Sequence, residues 1–298
     1  RQRGLRWLLR RALPKRSLFG AALALARIAK PLLPAALARK IPSARPAGAW
    51  PVGQHARKML TLAGCVQPAI APGINAASAR LLDRIGISLL EVSAARCCGA
   101  ISFHLNAHDE ALDYVRANID AWWPQVEAGA EAIVITASGC GTMVAEYGHL
   151  LRDDPAYAAK AARVSALAKD ISVVVAGERD ALMAQVRRGL AEPKIAFHSP
   201  CSLQHGLKIT GVVESILREA GFALTAVPDA HLCCGSAGTY SILQPELSQR
   251  LLHDKVEALE SGAPQSIATA NIGCLAHIGS GSARPVRHWI ELLEERLV

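Results

Sequence analysis

Eight cysteines in this chain fall into two sets with nearly the same spacing, and thiols grouped in this way could bind metal. The first set is Cys65, Cys97, Cys98 and Cys140, and the second is Cys201, Cys233, Cys234 and Cys274. The first three positions of the sets are 136 residues apart (201 − 65, 233 − 97, 234 − 98), and the last are 134 apart (274 − 140). Because a long-period repeat marks similar structural units, we expect two similar halves, each built around a metal centre with four thiols.

The spacing favours iron-sulfur clusters over a single metal ion. Structural zinc sites usually contain a C-x2-4-C pair, and the sequence has none. Adjacent cysteines such as Cys97 and Cys98 can reach different irons of one cluster, and four thiolates are the usual ligands of a 4Fe-4S cluster. Gly99 and Gly235, which follow the cysteine pairs, would let the backbone approach a cluster and present N–H groups to its sulfides. Zinc binding, disulfides and thiol chemistry stay open as alternatives.

The size and composition of the chain oppose a disulfide framework. Its 298 residues are 51% hydrophobic and 19% charged, which is enough for one large core or two ordinary ones. Disulfide-rich domains are small and lack such a core, so we favour metal binding in a cytoplasmic protein. The low aromatic content of 4% favours helices alternating with buried parallel strands.

The hydrophobic pattern predicts an α/β fold with the same series of elements in both halves. The predicted strands are 58–63, 88–92, 132–136, 195–197, 223–227 and 266–269, and the predicted helices are 74–85, 109–128, 213–220 and 246–260. This alternation predicts a small parallel sheet flanked by helices in each half. The carboxyl ends of parallel strands meet at one sheet edge. Because each cysteine position follows a predicted strand, we expect three chain segments to converge at each site.

The first part of the chain differs from the rest in charge and predicts a basic helical arm. Residues 1–45 contain twelve bases and no acid, which leaves 33 − 12 = 21 bases against 25 acids, a net charge of −4, in residues 46–298. The bases are Arg1, Arg3, Arg6, Arg10, Arg11, Lys15, Arg16, Arg27, Lys30, Arg39, Lys40 and Arg45. Interleaved apolar residues, with breaks at Pro14, Pro31 and Pro34, predict one or two amphipathic helices but no transmembrane span.

We therefore divide the chain into an arm and linker at 1–54, a first domain at 55–190 and a second domain at 191–298. Anionic lipid, nucleic acid and an acidic partner subunit are the physical candidates for contact with a basic arm. Packing as a linker helix on a neighbouring domain and binding at a membrane surface explain its amphipathicity equally well.

Several histidines follow or flank the second cysteine set. His277, three residues after Cys274, is either an extra ligand or a hydrogen-bonding residue near the site. His198, His205 and His231 have apolar counterparts in the first half, namely Leu62, Ala69 and Ala95. We expect these three histidines to tune the second site through hydrogen bonds rather than to act in catalysis.

Other motifs give no catalytic residue. Asp109, Asp113 and Asp120 are spaced as on one helix face, which predicts a solvated surface. The chain has no G-x-G-x-x-G and no G-x-x-x-x-G-K-[ST] motif, so we expect no nucleotide binding by this chain. Flavin, if involved, is expected on a partner.

The motifs around the cysteines resemble those of a known family. They are Leu60-Thr-Leu-Ala-Gly-Cys65-Val-Gln-Pro, Arg96-Cys-Cys-Gly-Ala, Asn118-Ile-Asp-Ala-Trp-Trp-Pro, Ala137-Ser-Gly-Cys-Gly, Phe197-His-Ser-Pro-Cys201-Ser-Leu-Gln-His, His231-Leu-Cys-Cys-Gly-Ser-Ala-Gly-Thr-Tyr, Thr269-Ala-Asn-Ile-Gly-Cys274 and Val286-Arg-His-Trp-Ile-Glu. They resemble the CCG domain shared by the heterodisulfide reductase family and by iron-sulfur subunits of flavin-linked dehydrogenases. Over residues 55–298 the chain is most similar to the family of glycolate oxidase iron-sulfur subunits.

The resemblance implies an electron carrier with up to two 4Fe-4S clusters bound by the eight cysteines. It implies FAD-containing partner subunits that oxidise glycolate to glyoxylate, and electron flow toward the quinone pool of the membrane. It further implies a cytoplasmic protein, peripheral on the inner membrane face, without nucleic acid as a partner. The chain is then part of an oxidoreductase and is not catalytic alone.

The chain departs from the family pattern in two places. An N-terminal ferredoxin-like region with two C-x2-C-x2-C-x3-C-P runs is not found in this sequence, which with Arg1 as the first residue predicts a fragment or processed form. The heterodisulfide reductase pattern ends each half with C-x-x-C, which gives five thiols for a noncubane cluster. Here those places hold Ala137 or Met143 and Asn271 or His277. This favours electron relay over two alternatives, a disulfide-reducing enzyme and a zinc-binding assembly protein.

Overall fold

Parallel strands form the frame of the protein. A computed structural model describes residues 2–38, 41–187 and 189–298, and leaves out the side chains of 35 and 36, so that Arg1, Arg39 and Lys40 of the arm lie outside the described residues. The strands are β1 (Arg57–Thr61), β2 (Ile87–Glu91), β3 (Ile133–Ile135), β4 (Ala168–Asp170), β5 (Lys194–His198), β6 (Ala223–Leu224), β7 (Ser266–Thr269) and β8 (Val286–His288). Within the described residues they make two four-stranded parallel sheets, in the orders β2-β1-β3-β4 and β6-β5-β7-β8.

Helices connect the strands and cover the sheets. In chain order they are α1 (Gln2–Ala12), α2 (Arg16–Ala29), α3 (Ala35–Ala38), α4 (Gln67–Ile70), α5 (Gly73–Asp83), α6 (Ala100–His104), α7 (His108–Glu127), α8 (Ser138–Ala145), α9 (Tyr147–Leu150), α10 (Ala158–Leu167), α11 (Ile171–Gly177), α12 (Arg179–Met183), α13 (Val212–Glu219), α14 (Tyr240–Leu243), α15 (Pro245–Glu260), α16 (Ile272–Gly281) and α17 (Trp289–Glu294). A 3-10 turn at Lys30–Leu32 and a π-helical turn at Ser202–Gly206 complete the helical elements of the described residues.

The two sheets repeat the same order of strands, which confirms the predicted α/β class, the two similar halves and the helical arm. The predicted strands and helices are all present, with ends shifted by three residues at most. The fourth strand of each sheet, β4 and β8, was not predicted. Each has three residues, too few for a hydrophobic pattern to indicate a strand.

The central strands are buried on both faces. In β5, Ile195, Ala196, Phe197 and His198 are all buried, without the alternation of a half-exposed strand. Parallel sheets covered by helices show this pattern. All strands of one sheet end at the same edge, which is where the cysteine segments begin.

One hydrophobic core includes residues of both sheets, and its buried residues extend from Leu23 of the arm to Leu297 at the end of the chain. A second core, from Leu60 to Leu167, lies within the first half. Helix α17 packs on α5 of the first half, and Arg80 Nε lies 2.9 Å from Glu294 Oε1 across this contact. The predicted boundary between residues 190 and 191 stays a prediction.

The basic arm packs partly on the body of the protein. Leu9 and Leu23 are buried, and Arg27 donates hydrogen bonds to the carbonyls of Pro42 (2.9 Å) and Ala69 (3.0 Å). Trp7 is nevertheless 55% exposed. Helix α2 therefore packs on the body through one face, and both helices leave apolar side chains exposed to solvent, among them Leu25 and Ile28 of α2.

No helix in the described part of the chain is both long and apolar enough to span a bilayer. Asp109, Asp113 and Asp120 are exposed, as expected for one solvated face of α7.

Candidate metal centres

The first cysteine set converges at the carboxyl edge of the first sheet. Cys65 follows β1, Cys97 and Cys98 follow β2, and Cys140 lies in the first turn of α8 after β3. The Sγ atoms of Cys65 and Cys97 are 3.6 Å apart. Cys98 is in hydrogen-bonding contact with both Cys97 and Cys140. The four thiols thus form a continuous group, although they come from three separate chain segments.

The second set has the same arrangement on the second sheet. Cys201 follows β5, the adjacent Cys233 and Cys234 follow β6, and Cys274 lies in the first turn of α16 after β7. The Sγ atoms of Cys201 and Cys233 are 3.9 Å apart, and Cys234 contacts both Cys233 and Cys274. All eight cysteines are free thiols. Cys201 and Cys233 are only half-buried, whereas their counterparts in the first group, Cys65 and Cys97, are buried. This pair of thiols is therefore more open to solvent in the second group.

Neighbouring thiols share negative charge in both groups. The pKa of Cys97 is well below its usual range because its sulfur is in hydrogen-bonding contact with the sulfurs of Cys65 and Cys98. The same contacts, together with burial, raise the pKa values of Cys65 and Cys98. In the second group, hydrogen-bonding contacts with Cys201 and Cys234 lower the pKa of Cys233 in the same way. Since metals bind thiolates, a bound metal would replace the protons that these sulfurs share.

The last cysteine of each set sits at a helix N-terminus. Cys140 is the third residue of α8, and Cys274 is the third residue of α16. Free backbone N–H groups and the helix dipole stabilise negative charge at this end of a helix. At Cys274 the side chain of Asn271 adds a donor, with Nδ2 at 3.5 Å from the sulfur. At Cys274 these donors favour a thiolate.

The glycine after each cysteine pair adopts a left-handed backbone conformation. Gly99 has φ +94° and Gly235 has φ +86°, values that favour glycine. The Gly235 N–H donates to Cys233 Sγ at 3.3 Å, as expected for a backbone donor near a metal centre. A Cβ on Gly235 would lie 2.5 Å from the carbonyl oxygen of Ser248. Close packing against α15 is thus a second reason for glycine, which the sequence did not reveal.

Buried polar side chains hold the loops that carry the cysteine pairs. Asn118 Nδ2 donates to the Cys97 carbonyl at 2.9 Å, and the Tyr147 hydroxyl donates to the Cys98 carbonyl at 2.8 Å. In the second half, Ser248 Oγ donates to the Gly235 carbonyl at 2.8 Å. Sequence reasoning did not assign these roles. The available signal was a polar residue at a core position, since Asn118 and Ser248 interrupt the buried faces of α7 and α15.

His198 is the histidine nearest to the second group of thiols. One of its ring nitrogens and the sulfurs of Cys234 and Cys274 lie within 4.8 Å of one another. The proximity of His198 helps to lower the pKa of Cys274, for which the hydrogen bond from Cys234 is the larger cause. His277 instead contacts Ser248 Oγ at 3.1 Å.

The other two predicted histidines lie farther out. His205 and His231 are exposed, and His205 Nε2 contacts the His231 carbonyl at 3.3 Å. They are part of the loops that carry the second thiol group. Their tuning of that site stays a prediction.

The two halves meet beside their cysteine-bearing helices. Gly139, next to Cys140, donates its N–H to Asn271 Oδ1 at 3.3 Å. The hydroxyls of Ser138 and Ser202 are 2.7 Å apart. Asn271 therefore bonds both to Gly139, beside Cys140, and to the sulfur of Cys274. The two thiol groups lie on either side of this asparagine.

The donor sets fit an iron-sulfur cluster in each half. Each group brings together four thiols, the number and type of ligand that such clusters use. A small cavity, lined mainly by apolar residues, adjoins Cys65 and Cys140 and reaches Ile272 of the other half. Apolar surroundings of this kind restrict water at a cluster.

Comparisons with known proteins agree with this chemistry. The family profile described as a cysteine-rich domain, CCG, matches residues 59–145 and 195–279. The chain is 48% identical to the glycolate oxidase iron-sulfur subunit of Escherichia coli K12, over 99% of this chain and 72% of that protein. It is 29% identical to the probable glycolate oxidase iron-sulfur subunit of Bacillus subtilis 168, over 78% of this chain and 52% of that protein. It is 27% identical to lactate utilization protein A of Bacillus licheniformis, over 78% of this chain and 97% of that protein.

Proposed function

Because this chain belongs to the family of cysteine-rich CCG-domain proteins that includes the glycolate oxidase iron-sulfur subunit, we propose that it is the electron-transfer subunit of a 2-hydroxy-acid oxidase. The observation that carries the proposal is the pair of thiol groups, each made of four cysteines in a continuous chain of contacts at one sheet edge. Glycolate is the proposed acid, since it is the substrate named for the E. coli relative.

The eight cysteines would hold one 4Fe-4S cluster in each half, and such a cluster supplies reversible one-electron transfer. Around each site, the chain buries thiolates, donates hydrogen bonds to them and limits the access of water. Electrons would come from FAD-containing partner subunits and leave toward the quinone pool of a membrane. The proposed domains are 55–190 and 191–298, one for each cluster.

Metal analysis and EPR of anaerobically prepared protein test the cluster assignment. We expect about four irons and four labile sulfides for each occupied half. Cys65→Ser should remove the first cluster and leave the second, and Cys201→Ser should do the reverse, so each variant is the control for the other. Zinc without iron in both halves would refute the proposal.

The electron-transfer role needs the complete complex. With FAD-containing partner subunits present, glycolate should reduce the clusters of this chain, and lactate serves as the comparison substrate because lactate utilization proteins are among its relatives. Clusters that stay oxidised with both acids, while the flavin is reduced, would contradict electron transfer through this chain.

A single zinc ion in one half is the second candidate. The Sγ separations of 3.6 and 3.9 Å are close to the edge of a tetrahedron with metal–sulfur bonds of about 2.3 Å, which is about 3.8 Å. To bind a cluster with one thiolate on each iron, the same thiols would move farther apart. The metal analysis of the two serine variants assigns iron or zinc to each half separately.

We also propose that α1 binds the surface of an anionic membrane. Trp7 and Leu8 are each 55% exposed on this helix. Its sequence carries four arginines, at positions 3, 6, 10 and 11, and no acid. Apolar and basic residues on one helix favour the interface of a charged bilayer.

Co-sedimentation with vesicles tests this membrane contact. The double variant Trp7→Ala, Leu8→Ala should bind less to vesicles containing phosphatidylserine, while Leu247→Ala, a change at an exposed leucine of α15, should not. Equal binding by the two variants, or no binding by the unaltered protein, would reject a membrane role.

A further inference from the structure

His198 is a buried polar residue whose environment the cysteine ligands alone do not explain. It is the last residue of β5 and is 2% exposed. Neither of its ring nitrogens bonds to an oxygen or nitrogen atom of the described residues, and its one polar contact is with the sulfur of Cys274. This contact satisfies at most one of the two ring nitrogens. Because burial of a polar group without a partner is unfavourable, a partner that is not part of the polypeptide is expected at this position.

The imidazole lies beside the second thiol group. A ring nitrogen is within 4.8 Å of the sulfurs of Cys234 and Cys274, and all three side chains are buried. These distances are short enough for the three atoms to bind one metal ion or neighbouring irons of one cluster. The corresponding residue of the first half is Leu62, a buried side chain that cannot bind metal.

We propose that His198 is a nitrogen ligand of the second metal centre. This inference rests on the proposed function, in that it requires a metal at the second thiol group. The second centre then has a mixed set of thiolates and one imidazole, whereas the first centre has thiolates alone. His198, at the end of β5, is then a fifth donor beside the four cysteines of the second set.

The extra donor would make the two centres differ in reduction potential. A neutral imidazole at the fifth position gives an iron-sulfur centre a higher reduction potential than an anionic thiolate would give it there. A one-electron transfer between the two centres would neither make nor break a bond to a proton, and the oxidation of the hydroxy acid would supply the electron.

Pulsed EPR of the reduced protein with ¹⁵N-labelled histidine tests the assignment. We expect strong nitrogen hyperfine coupling in the full chain and its loss in both His198→Ala and His198→Gln. His205→Gln is the matched control, since His205 is exposed and bonds to the loop carbonyl of His231. Weak coupling alone would show a hydrogen bond to a thiolate and would overturn the ligand assignment, as would strong coupling that persists in His198→Ala.

The reduction potential gives a second readout, which a purely structural role would not change. His198→Cys restores a ligand but adds a negative charge, so it should lower the potential of the second centre. We expect a change of at least about tenfold in the one-electron equilibrium constant, or about 59 mV. An unchanged potential in His198→Cys with full metal content would overturn the proposal.

Failure of the proposed function is recognised separately by metal analysis. If the second half holds zinc, electron transfer there is excluded, but the ligand assignment is still tested. X-ray absorption at the zinc edge should then show a nitrogen neighbour at about 2.0–2.1 Å in the protein and its loss in His198→Ala. A zinc site with sulfur neighbours alone would overturn the assignment of His198.

Discussion

Substitution of Gly235 by alanine should destabilise the protein through two separable effects. The residue has φ +86°, and an added Cβ would lie 2.5 Å from the Ser248 carbonyl oxygen and 3.0 Å from Leu251 Cβ. The left-handed conformation costs about 1–2 kcal/mol for a residue with a side chain. Crowding against α15 adds about 1–3 kcal/mol, because the obstacle is helix backbone, which cannot rotate away.

The expected total for Gly235→Ala is about 2–5 kcal/mol. With an unfolding entropy of about 2.1 cal/mol/K per residue, a chain of this length has about 0.6 kcal/mol/K, so the melting temperature should fall by about 3–8 °C if the chain unfolds as one unit. Denaturant unfolding followed by circular dichroism measures the free energy, and differential scanning calorimetry measures the melting temperature.

Gly129→Ala is the matched control for this prediction. Gly129 has φ +92°, but a Cβ there would meet no atom within 4 Å. Only the conformational cost of about 1–2 kcal/mol is expected, without loss of bound metal. Gly235→Ala should in addition lower the metal content of the second half, because crowding against Ser248 displaces the loop whose N–H bonds to Cys233 Sγ. Equal losses of stability in the two variants would refute the packing argument.

Three further predictions concern buried polar residues. Burial raises the pKa of Asp170 to about 6, so the ionised carboxylate destabilises the folded protein at pH 7. Asp170→Asn should therefore stabilise the protein by up to about 3 kcal/mol at pH 7. Calorimetry should show that this gain vanishes as the pH falls from 6 to 4. Burial lowers the pKa of His288 to about 4. The free energy of unfolding should therefore fall by up to about 3 kcal/mol as the pH is lowered from 6.5 to 4. Denaturant titrations of His288→Gln should not show this loss. Tyr147→Phe removes a hydroxyl that bonds to the Cys98 carbonyl and to Asn118. Urea unfolding should show that the free energy of unfolding falls by about 1–3 kcal/mol. An unchanged midpoint would contradict the role of this hydroxyl.

Much of the architecture was predictable because it depends on local pattern. Runs of apolar residues between turn residues indicated the long strands and helices, and the spacing of the cysteines indicated two equivalent halves. The three-residue strands β4 and β8 were missed since their pairing depends on a neighbouring strand far along the chain. The short extent of β6 was also missed, because its end is decided by contacts of the following loop rather than by propensity.

The cysteine repeat and the rule that parallel strands end at a common edge were sufficient to predict two four-thiol groups. They could not predict which other side chains reach those groups. In β5 the residues from Ile195 to His198 are all buried, so no alternation shows which face His198 takes. The crossovers that pack β7 and α16 beside this strand place the ring near Cys274, 76 residues later (274 − 198). The same packing joins Gly139 to Asn271. Contacts of this kind depend on how helices and sheets of distant segments pack together, and sequence spacing does not contain that information.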